Sequence, residues 1–268
     1  MAHSLIPLHV QTDRALGGRW VSLRSDNREW LWTNPRDEIV AARPGVDENS
    51  TFVDAGGGEE CYPCVRAPYD HGLVWNRRWT DAGHGWEECE GDGYRLARRI
   101  DDSEGVVRVE YRADARTPRE VLHATHLLLD LSEDAALEPV THGPLLFWDP
   151  RPDAEIEALG GEEAYVRTIG QGEQSAVCYS ITDCTALTVR DGDDALHFEL
   201  SAARDDIPLG FVIWRNLNGW PTPPYRSLGI EPAIGRDVEL PGTIPGGTVA
   251  VAPGYPAEWT LTIRATRG

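Results

Sequence analysis

The stretch ALTVRDGDDALHFEL, residues 186–200, decides the fold class. Apolar and polar side chains alternate on both sides of an Asp-Gly-Asp turn signal at 191–193. A period of two is typical of a strand with one buried face, and Gly and Asp between two such runs indicate a turn. This segment therefore predicts two half-buried strands joined by a turn.

The same alternation recurs along the chain. Further strands are predicted at 19–24, 94–100, 106–111, 122–128 and 259–264. Only Asp153 to Leu159 has a helical pattern, and it is short. Strands that do not alternate with helices favour an all-β antiparallel sandwich or barrel. No linker-like stretch or internal repeat interrupts the sequence, so residues 1–268 are interpreted as a single domain.

The charge balance limits the classes of partner. The formal net charge is −19, with 44 acidic and 25 basic residues. Nucleic acids and anionic membrane surfaces are bound through basic patches, so neither is an expected partner. The N-terminus has no signal-peptide pattern, and no apolar run is long enough to span a bilayer. We therefore expect a cytoplasmic protein.

The basic residues and cysteines exclude several kinds of site. All 25 basic residues are arginine, so Schiff-base and phosphate-loop lysines are excluded. Cys61 and Cys64 have the spacing of zinc and redox motifs, but no second pair follows at comparable spacing. We interpret the five cysteines as structural thiols and predict neither a metal nor a cofactor.

One glutamate and two histidines are candidates for proton transfer. Glu231 lies in the apolar run LGIEP at 228–232, where burial would raise the pKa of a carboxylate. His71 and His126 carry imidazoles, which titrate near neutrality. A base and an acid near the working pH are typical of a proton-shuttling enzyme. On local grounds alone, Glu231 also fits a solvent-facing strand end, and His126 also fits a satisfied core histidine.

Strand alternation separates the histidines of the segment HATHLLL at 123–129. Successive side chains of a strand point to opposite faces of the sheet. His126 is therefore expected on one face with Ala124 and Leu128, and His123 on the other face with Thr125. At most one of the two histidines can contribute to a given concave surface.

Five segments resemble the aldose 1-epimerase (galactose mutarotase-like) proteins. They are GGRWVSL with EWLW at 17–32, GGEECYP at 57–63, DHGLVWNRRW at 70–79, THLL at 125–128 and LGIEP at 228–232. The separations of 55 and 105 residues between His71, His126 and Glu231 also suit that family. The resemblance covers nearly the whole chain.

The resemblance implies a large antiparallel β-sandwich whose concave face binds a free sugar, without metal or cofactor. Glu231 would be the general base and His126 the general acid of ring opening. His71 would bind a sugar oxygen, and Glu60 is a further predicted substrate-binding residue. Strand alternation puts Arg77 on one face with Trp75 and Trp79, so Arg77 is also predicted to bind substrate. Four tryptophans are candidates for stacking on the C–H faces of the sugar, namely Trp75, Trp79, Trp148 and Trp220, although most tryptophans in such a chain are expected in the core or at its rim.

Three functions stay open at this point. The first is an aldose 1-epimerase acting on a neutral sugar. The second is a hexose-6-phosphate 1-epimerase, which would need an arginine cluster near the site. The third is a non-catalytic carbohydrate-binding module of the same fold. In each case the expected partner is a small-molecule sugar, and the expected assembly is a monomer or homodimer.

Overall fold

A computed structural model describes residues 4–268. The strands are β1 Ser4–Ile6, β2 Leu8–Asp13, β3 Arg19–Ser25, β4 Arg28–Glu29, β5 Gly58–Cys61, β6 Thr80–Gly83, β7 Trp86–Gly91, β8 Tyr94–Asp101, β9 Val107–Ala115, β10 Arg119–Val121, β11 His123–Leu129, β12 Ala136–Pro139, β13 Leu145–Phe147, β14 Ser175–Thr182, β15 Ala186–Asp191, β16 Asp194–Ala202, β17 Leu209–Trp220, β18 Tyr225–Ile234, β19 Val249–Val251 and β20 Ala257–Arg267. The α-helices are α1 Asp37–Ala42, α2 Asp153–Leu159 and α3 Glu162–Arg167, and short 3₁₀ turns cover Arg14–Leu16 and Arg43–Gly45.

The strands form two large sheets that pack face to face. Sheet A has the order β12-β15-β16-β20-β9-β8-β7-β6, with β1 also paired to β20. Sheet B has the order β13-β14-β17-β18-β11-β5-β3-β2, with β4 also paired to β3. A separate two-stranded ribbon joins β10 and β19. The pairings between these strands are antiparallel, so the predicted all-β antiparallel sandwich is confirmed.

The elements follow the sequence pattern closely where it is regular. The opening segment forms the hairpin β15–β16, in which Asp191 pairs with Asp194 across the predicted turn. The predicted helix has the bounds of α2. Helices α1 and α3 were not predicted. Each has six residues, which is under two turns and too short for a helical period to show.

The core lies between the inner faces of the two sheets. In β11, the alternate residues Leu127 and Leu129 point into this core, where they join Val109 and Tyr111 from β9 of sheet A. Removing a side chain of this size from water contributes about 1.5–3 kcal/mol. Since β11 buries its odd-numbered residues between the sheets, its even-numbered residues lie on the outer face of sheet B.

A smaller apolar cluster covers that outer face. It contains Ala124 and Ala233, which pair between β11 and β18, together with Val65 and Val238 from two loops. The loops are joined by a backbone hydrogen bond of 3.1 Å from Val65 N to Val238 O. The outer face is therefore partly covered by loops, and the side chains beside this cluster are buried.

Two further observations concern the described part of the chain. Among residues 4–268, no helix has the length and apolar character needed to cross a bilayer. The five cysteines are free thiols, of which Cys178 is half-buried and the others are buried.

Candidate active site

Neighbouring strands of sheet B place His126 beside Glu231 on the outer face. Leu127 of β11 pairs with Ile230 of β18, so His126 and Glu231 are the next opposed residues along the two strands. Opposed residues of an antiparallel pair have side chains on the same face and within contact distance. His126 Nδ1 accordingly lies 3.0 Å from Glu231 Oε1. Both residues are buried, with 6% and 2% of their surface exposed.

This contact leaves polar atoms without partners. His126 Nδ1 and Glu231 Oε1 are close but not aligned as a hydrogen bond, and Glu231 Oε2 has no hydrogen-bond partner among the described residues. An unsatisfied buried donor or acceptor costs about 1–3 kcal/mol, so such atoms are uncommon in native structures. We interpret the pair as hydrogen-bonding capacity that is reserved for a bound molecule.

The charge of Glu231 also controls the protonation of His126. Burial alone lowers the pKa of His126, but the contact with Glu231 and the charges of Asp54 and Glu59 together outweigh burial. The net result is a raised pKa for His126. The site therefore favours the protonated form of His126, which is the form that can act as an acid.

His71 joins the two residues from a loop. Its ring lies 4.9 Å from the ring of His126 in an edge-to-face arrangement. Its backbone is in the left-handed region at φ 61°, which is uncommon outside glycine. Asp70 Oδ1 lies 2.9 Å from His71 Nδ1 and orients the ring. Burial would raise the pKa of Asp70, but the hydrogen bond with His71 and the nearby charges of His71, His126 and Arg66 together lower it.

Phe52 fills the space next to both imidazoles. Its ring is stacked on His71 with a centroid distance of 3.4 Å and an interplanar angle of 3°. It also meets His126 edge to face at 6.1 Å and Trp75 at 5.1 Å. Sequence reasoning missed Phe52, because it comes from an irregular segment between α1 and β5 where no period marks a buried position.

Glu59 is the second residue that sequence reasoning missed. It pairs with His126 between β5 and β11, so it lies on the opposite side of His126 from Glu231. Arg43 holds its carboxylate through contacts of 2.9 and 2.8 Å, and Arg19 Nε lies 3.1 Å away. Burial raises the pKa of Glu59, and the two guanidiniums only partly oppose that rise. A row of alternating basic and acidic residues, Arg43, Glu59, His126 and Glu231, crosses the outer face.

The prediction that Glu60 binds substrate is wrong. Neighbouring residues of a strand face opposite ways, and Glu60 points into the core between the sheets with no exposed surface. Its carboxylate accepts hydrogen bonds from Trp20, Tyr111, Arg98 and His123. Burial alone would raise the pKa of Glu60, but Arg98 and the hydrogen bond from His123 lower it to about 2. Glu60 is a structural carboxylate.

The structure also does not bring Arg77 to the site. Residues 73–76 form turns and residue 77 a bend, so the strand alternation from which Arg77 was placed does not apply. Its guanidinium pairs with Glu48 at 3.0 Å and packs against Gly91 of β7 in sheet A. Glu231, His71 and Phe52 lie against His126, whereas Arg77 lies against Glu48 and Gly91.

The four tryptophans predicted to stack on a sugar have different environments. Trp75 and Trp79 are buried at 1% exposure and cannot present a free ring face. Trp148 is half-buried and donates from Nε1 to Ser180 Oγ at 2.8 Å. Trp220 is 49% exposed. The prediction is wrong for the first two residues and stays a prediction for the others.

The structure brings together three of the predicted site residues, His71, His126 and Glu231. They converge on the outer face of sheet B, while His123 lies on the inner face with Glu60. In residues 4–268, no group of three or more histidine, cysteine or acidic side chains is placed to hold a metal ion. The arrangement can move protons to and from a molecule bound between the acid and the base.

Comparison with known proteins identifies the architecture. No family model and no curated protein matches the sequence. The Slr1438 protein of Synechocystis sp. PCC 6803 superposes with a TM-score of 0.69 at 12% identity, over 100% of this chain and 96% of that protein. A putative aldose 1-epimerase of Escherichia coli K12 superposes with a TM-score of 0.67 at 14% identity, over 100% of both chains.

A galactose mutarotase-like protein from Lactobacillus casei ATCC 334 superposes with a TM-score of 0.63 at 15% identity, over 98% of this chain and 100% of that protein. The fold is that of the galactose mutarotase-like proteins. At such low identity the likeness concerns this mutarotase-like fold alone. The roles of individual residues must therefore be argued from the geometry of the site.

Proposed function

We propose that the protein is an aldose 1-epimerase that interconverts the α and β anomers of a neutral free sugar. The observation that carries this proposal is the 3.0 Å contact between His126 Nδ1 and Glu231 Oε1. Ring opening removes a proton from the anomeric hydroxyl and adds one to the ring oxygen. Because both oxygens are bonded to the same carbon, the base and the acid must be close neighbours.

In the proposed reaction, Glu231 takes the proton of the anomeric hydroxyl. The electron pair of that O–H bond forms the carbonyl at C1, the bond from C1 to the ring oxygen breaks, and His126 protonates the released oxygen. Rotation about C1–C2 presents the other face of the aldehyde. Ring closure then runs in reverse, with His126 as base and Glu231 as acid.

The electrostatics of the site support these roles. A general acid must hold a proton before the reaction, and the raised pKa of His126 favours the imidazolium form. His71, oriented by Asp70, is placed to hydrogen-bond a sugar oxygen beside His126. Phe52 offers an apolar face to the C–H groups of the ring, so that one wall of the site is apolar and the others are polar.

Charge at the site favours a neutral sugar over a sugar phosphate. A phosphate needs guanidinium groups that are free to bind it. Arg43 and Arg19 are the basic residues in the row of His126, and both are engaged by Glu59. The net charge of −19 adds long-range repulsion of a dianion.

The test is an assay of anomer interconversion with a panel of free and phosphorylated sugars. Freshly dissolved α-glucose and α-galactose are followed by polarimetry, and glucose 6-phosphate by NMR exchange spectroscopy. We expect faster interconversion of a free sugar with wild type than with Glu231→Gln. A preference for the phosphate would favour the hexose-6-phosphate epimerase. Binding of a sugar without acceleration would favour the non-catalytic module.

A further inference from the structure

The outer face of β18 continues from Glu231 onto an aromatic surface. Gly229 lies two residues before Glu231 and therefore shares its face, and Trp214 of β17 is paired with Gly229. A Cβ placed on Gly229 would lie 2.9 Å from Trp214 Cβ and 3.1 Å from Glu231 Oε1. The indole of Trp214 is thus separated from the proposed base only by a residue without a side chain.

Four aromatic rings form a continuous chain from this point, and we call them the aromatic platform. Trp214 meets Trp220 at 6.0 Å, Trp220 meets Tyr225 at 6.3 Å, and Tyr225 meets Trp32 at 5.5 Å between ring centroids. Trp220 is 49% exposed, and Trp32 and Trp214 are half-buried. Trp220 is the exposed ring of the four, and an exposed aromatic residue that continues into partly exposed neighbours is typical of a binding site.

Polar atoms without partners lie next to the platform. Tyr225 Oη donates to Asp54 Oδ2 at 2.6 Å, while Asp54 Oδ1 has no hydrogen-bond partner. The guanidinium of Arg36 lies over the Tyr225 ring at 5.3 Å, and its Nη2 is likewise without a partner. One unused acceptor and one unused donor beside aromatic faces match a sugar residue, which has C–H faces and hydroxyls that both donate and accept.

Asp54 also connects the platform to the proposed acid. Its carboxylate is close enough to His126 to contribute to the raised pKa of that residue. The platform therefore lies next to Glu231 through Trp214, and its Tyr225 is hydrogen-bonded to Asp54, whose charge acts on His126. A ligand that extends from a sugar held by His126 and Glu231 would reach the platform without leaving the outer face of sheet B.

We propose that the aromatic platform is a subsite for a second glycosyl residue, so that the preferred ligand is the reducing end of a disaccharide or longer saccharide. This inference rests on the proposed function for the identity of the first sugar. A neutral saccharide is compatible with the acidic protein, and stacking on rings requires no charged group. The hairpin tip PTPP at 221–224 restricts the backbone that follows Trp220, so the ring is presented with little loss of freedom.

The test measures binding in the Glu231→Gln background, so that it does not depend on turnover. Calorimetric titrations compare glucose with cellobiose and maltose. We expect at least one disaccharide to bind about tenfold more tightly than glucose, a ratio that corresponds to about 1.4 kcal/mol. Trp220→Ala should bring that ratio close to one, and Trp220→Phe should restore part of it.

Trp86→Ala is the matched control, because Trp86 lies on β7 of sheet A and pairs with Arg99. It should leave the ratio unchanged. Equal affinity for disaccharides and glucose, or a ratio that Trp220→Ala does not change, would overturn the subsite. A change of oligomeric state in Trp220→Ala without a change of ratio would also overturn it and assign the platform to a second copy of the chain.

Failure of the subsite and failure of the proposed function are distinguishable. If wild type accelerates anomer interconversion but the disaccharide ratio is one, only the subsite is wrong. If wild type accelerates no anomer interconversion but a disaccharide binds preferentially through Trp220, the subsite stands on a non-catalytic protein.

Discussion

Sheet B carries two histidine–glutamate pairs on its two faces, and their environments are opposite. On the inner face His123 Nε2 lies 2.7 Å from Glu60 Oε2, and on the outer face His126 Nδ1 lies 3.0 Å from Glu231 Oε1. Both histidines belong to β11, and both pairs are buried. Residue type, distance and burial therefore do not separate a structural pair from a candidate catalytic one.

The two pairs differ in the hydrogen-bond partners of their carboxylates. Glu60 accepts from Trp20, Arg98 and Tyr111 in addition to His123, although the second nitrogen of His123 is unpaired. Glu231 has one unpaired oxygen and a contact with His126 that lacks hydrogen-bond alignment. A satisfied buried network stabilises the fold, whereas an unsatisfied one costs stability and is retained where a ligand uses it.

The largest expected effect concerns the inner pair. Glu60→Ala leaves the Arg98 guanidinium buried without its carboxylate, and removing one partner of a buried ion pair typically costs about 3–5 kcal/mol. We expect the free energy of unfolding, measured in urea, to fall by that amount. A loss below about 1 kcal/mol, the range of an exposed pair, would show that the inner network is not structural.

The outer pair should respond in the opposite way. Glu231→Gln removes the proposed base and should lower turnover at least about a hundredfold, because general-base catalysis typically contributes about 10²–10⁴-fold. Its free energy of unfolding should fall by less than that of Glu60→Ala, since only the contact with His126, which lacks hydrogen-bond alignment, is lost. Near-native turnover would exclude Glu231 from the mechanism, and a large loss of stability would make the outer pair structural.

How much of this could be predicted from the sequence depends on which physical rule was needed. Period-two alternation predicted the hairpin at 186–200 and separated His126 from His123, because it requires only neighbouring residues. The choice between Glu59 and Glu60 also needed the orientation of β5, which is set by its pairing with β11. Alternation shows that they face opposite ways but not which of them faces the core.

Irregular segments were beyond sequence reasoning for a different reason. The position of Phe52 depends on contacts with His71 and Trp75, which are distant in sequence and held by loops. Arg77 was misplaced because its segment turns repeatedly where alternation suggested an extended strand. Local pattern carries little information where the backbone has no period.

The two histidine–glutamate pairs should also stabilise the fold in different pH ranges. The folded-state pKa of Glu60 is lowered to about 2 from 4.5, so its stabilising contribution is complete above pH 4.5 and is lost as the pH falls toward 2. The folded-state pKa of His126 is raised above 6.5, so its contribution is complete below pH 6.5 and is lost as the pH rises through the raised value.

The free energy of unfolding, measured in denaturant from pH 2 to 9, tests both pH ranges: the loss in acid assigned to Glu60 and the loss at higher pH assigned to His126. In Glu60→Gln the free energy of unfolding should depend less on pH in the acid range, and its dependence on pH in the alkaline range should be unchanged. In Glu231→Gln the free energy of unfolding should depend less on pH in the alkaline range, because the charge that raises the pKa of His126 is gone. If Glu60→Gln changed the alkaline range instead, or Glu231→Gln changed the acid range, the assignment of the two pH ranges to these pairs would be reversed.

The smallest expected effect tests whether Glu59 belongs to the outer pair. Glu59 is opposed to His126, and its charge is a lesser cause of the raised pKa of His126 than that of Glu231. Glu59→Gln should therefore lower the pKa of His126, by less than Glu231→Gln does. NMR titration of the His126 ring measures this, with the resonance assigned from its loss in His126→Gln.

Glu258→Gln is the control, because Glu258 pairs with Arg112 on sheet A and its side chain is 46% exposed. A general effect of the −19 net charge would shift the pKa of His126 equally in both variants. A larger shift in Glu59→Gln, accompanied by a matching shift of the alkaline limb of kcat/KM, would make Glu59 a positioning residue that acts through His126. An unchanged pKa would mean that the Arg43 guanidinium already neutralises Glu59, so that the acid–base unit ends at His126.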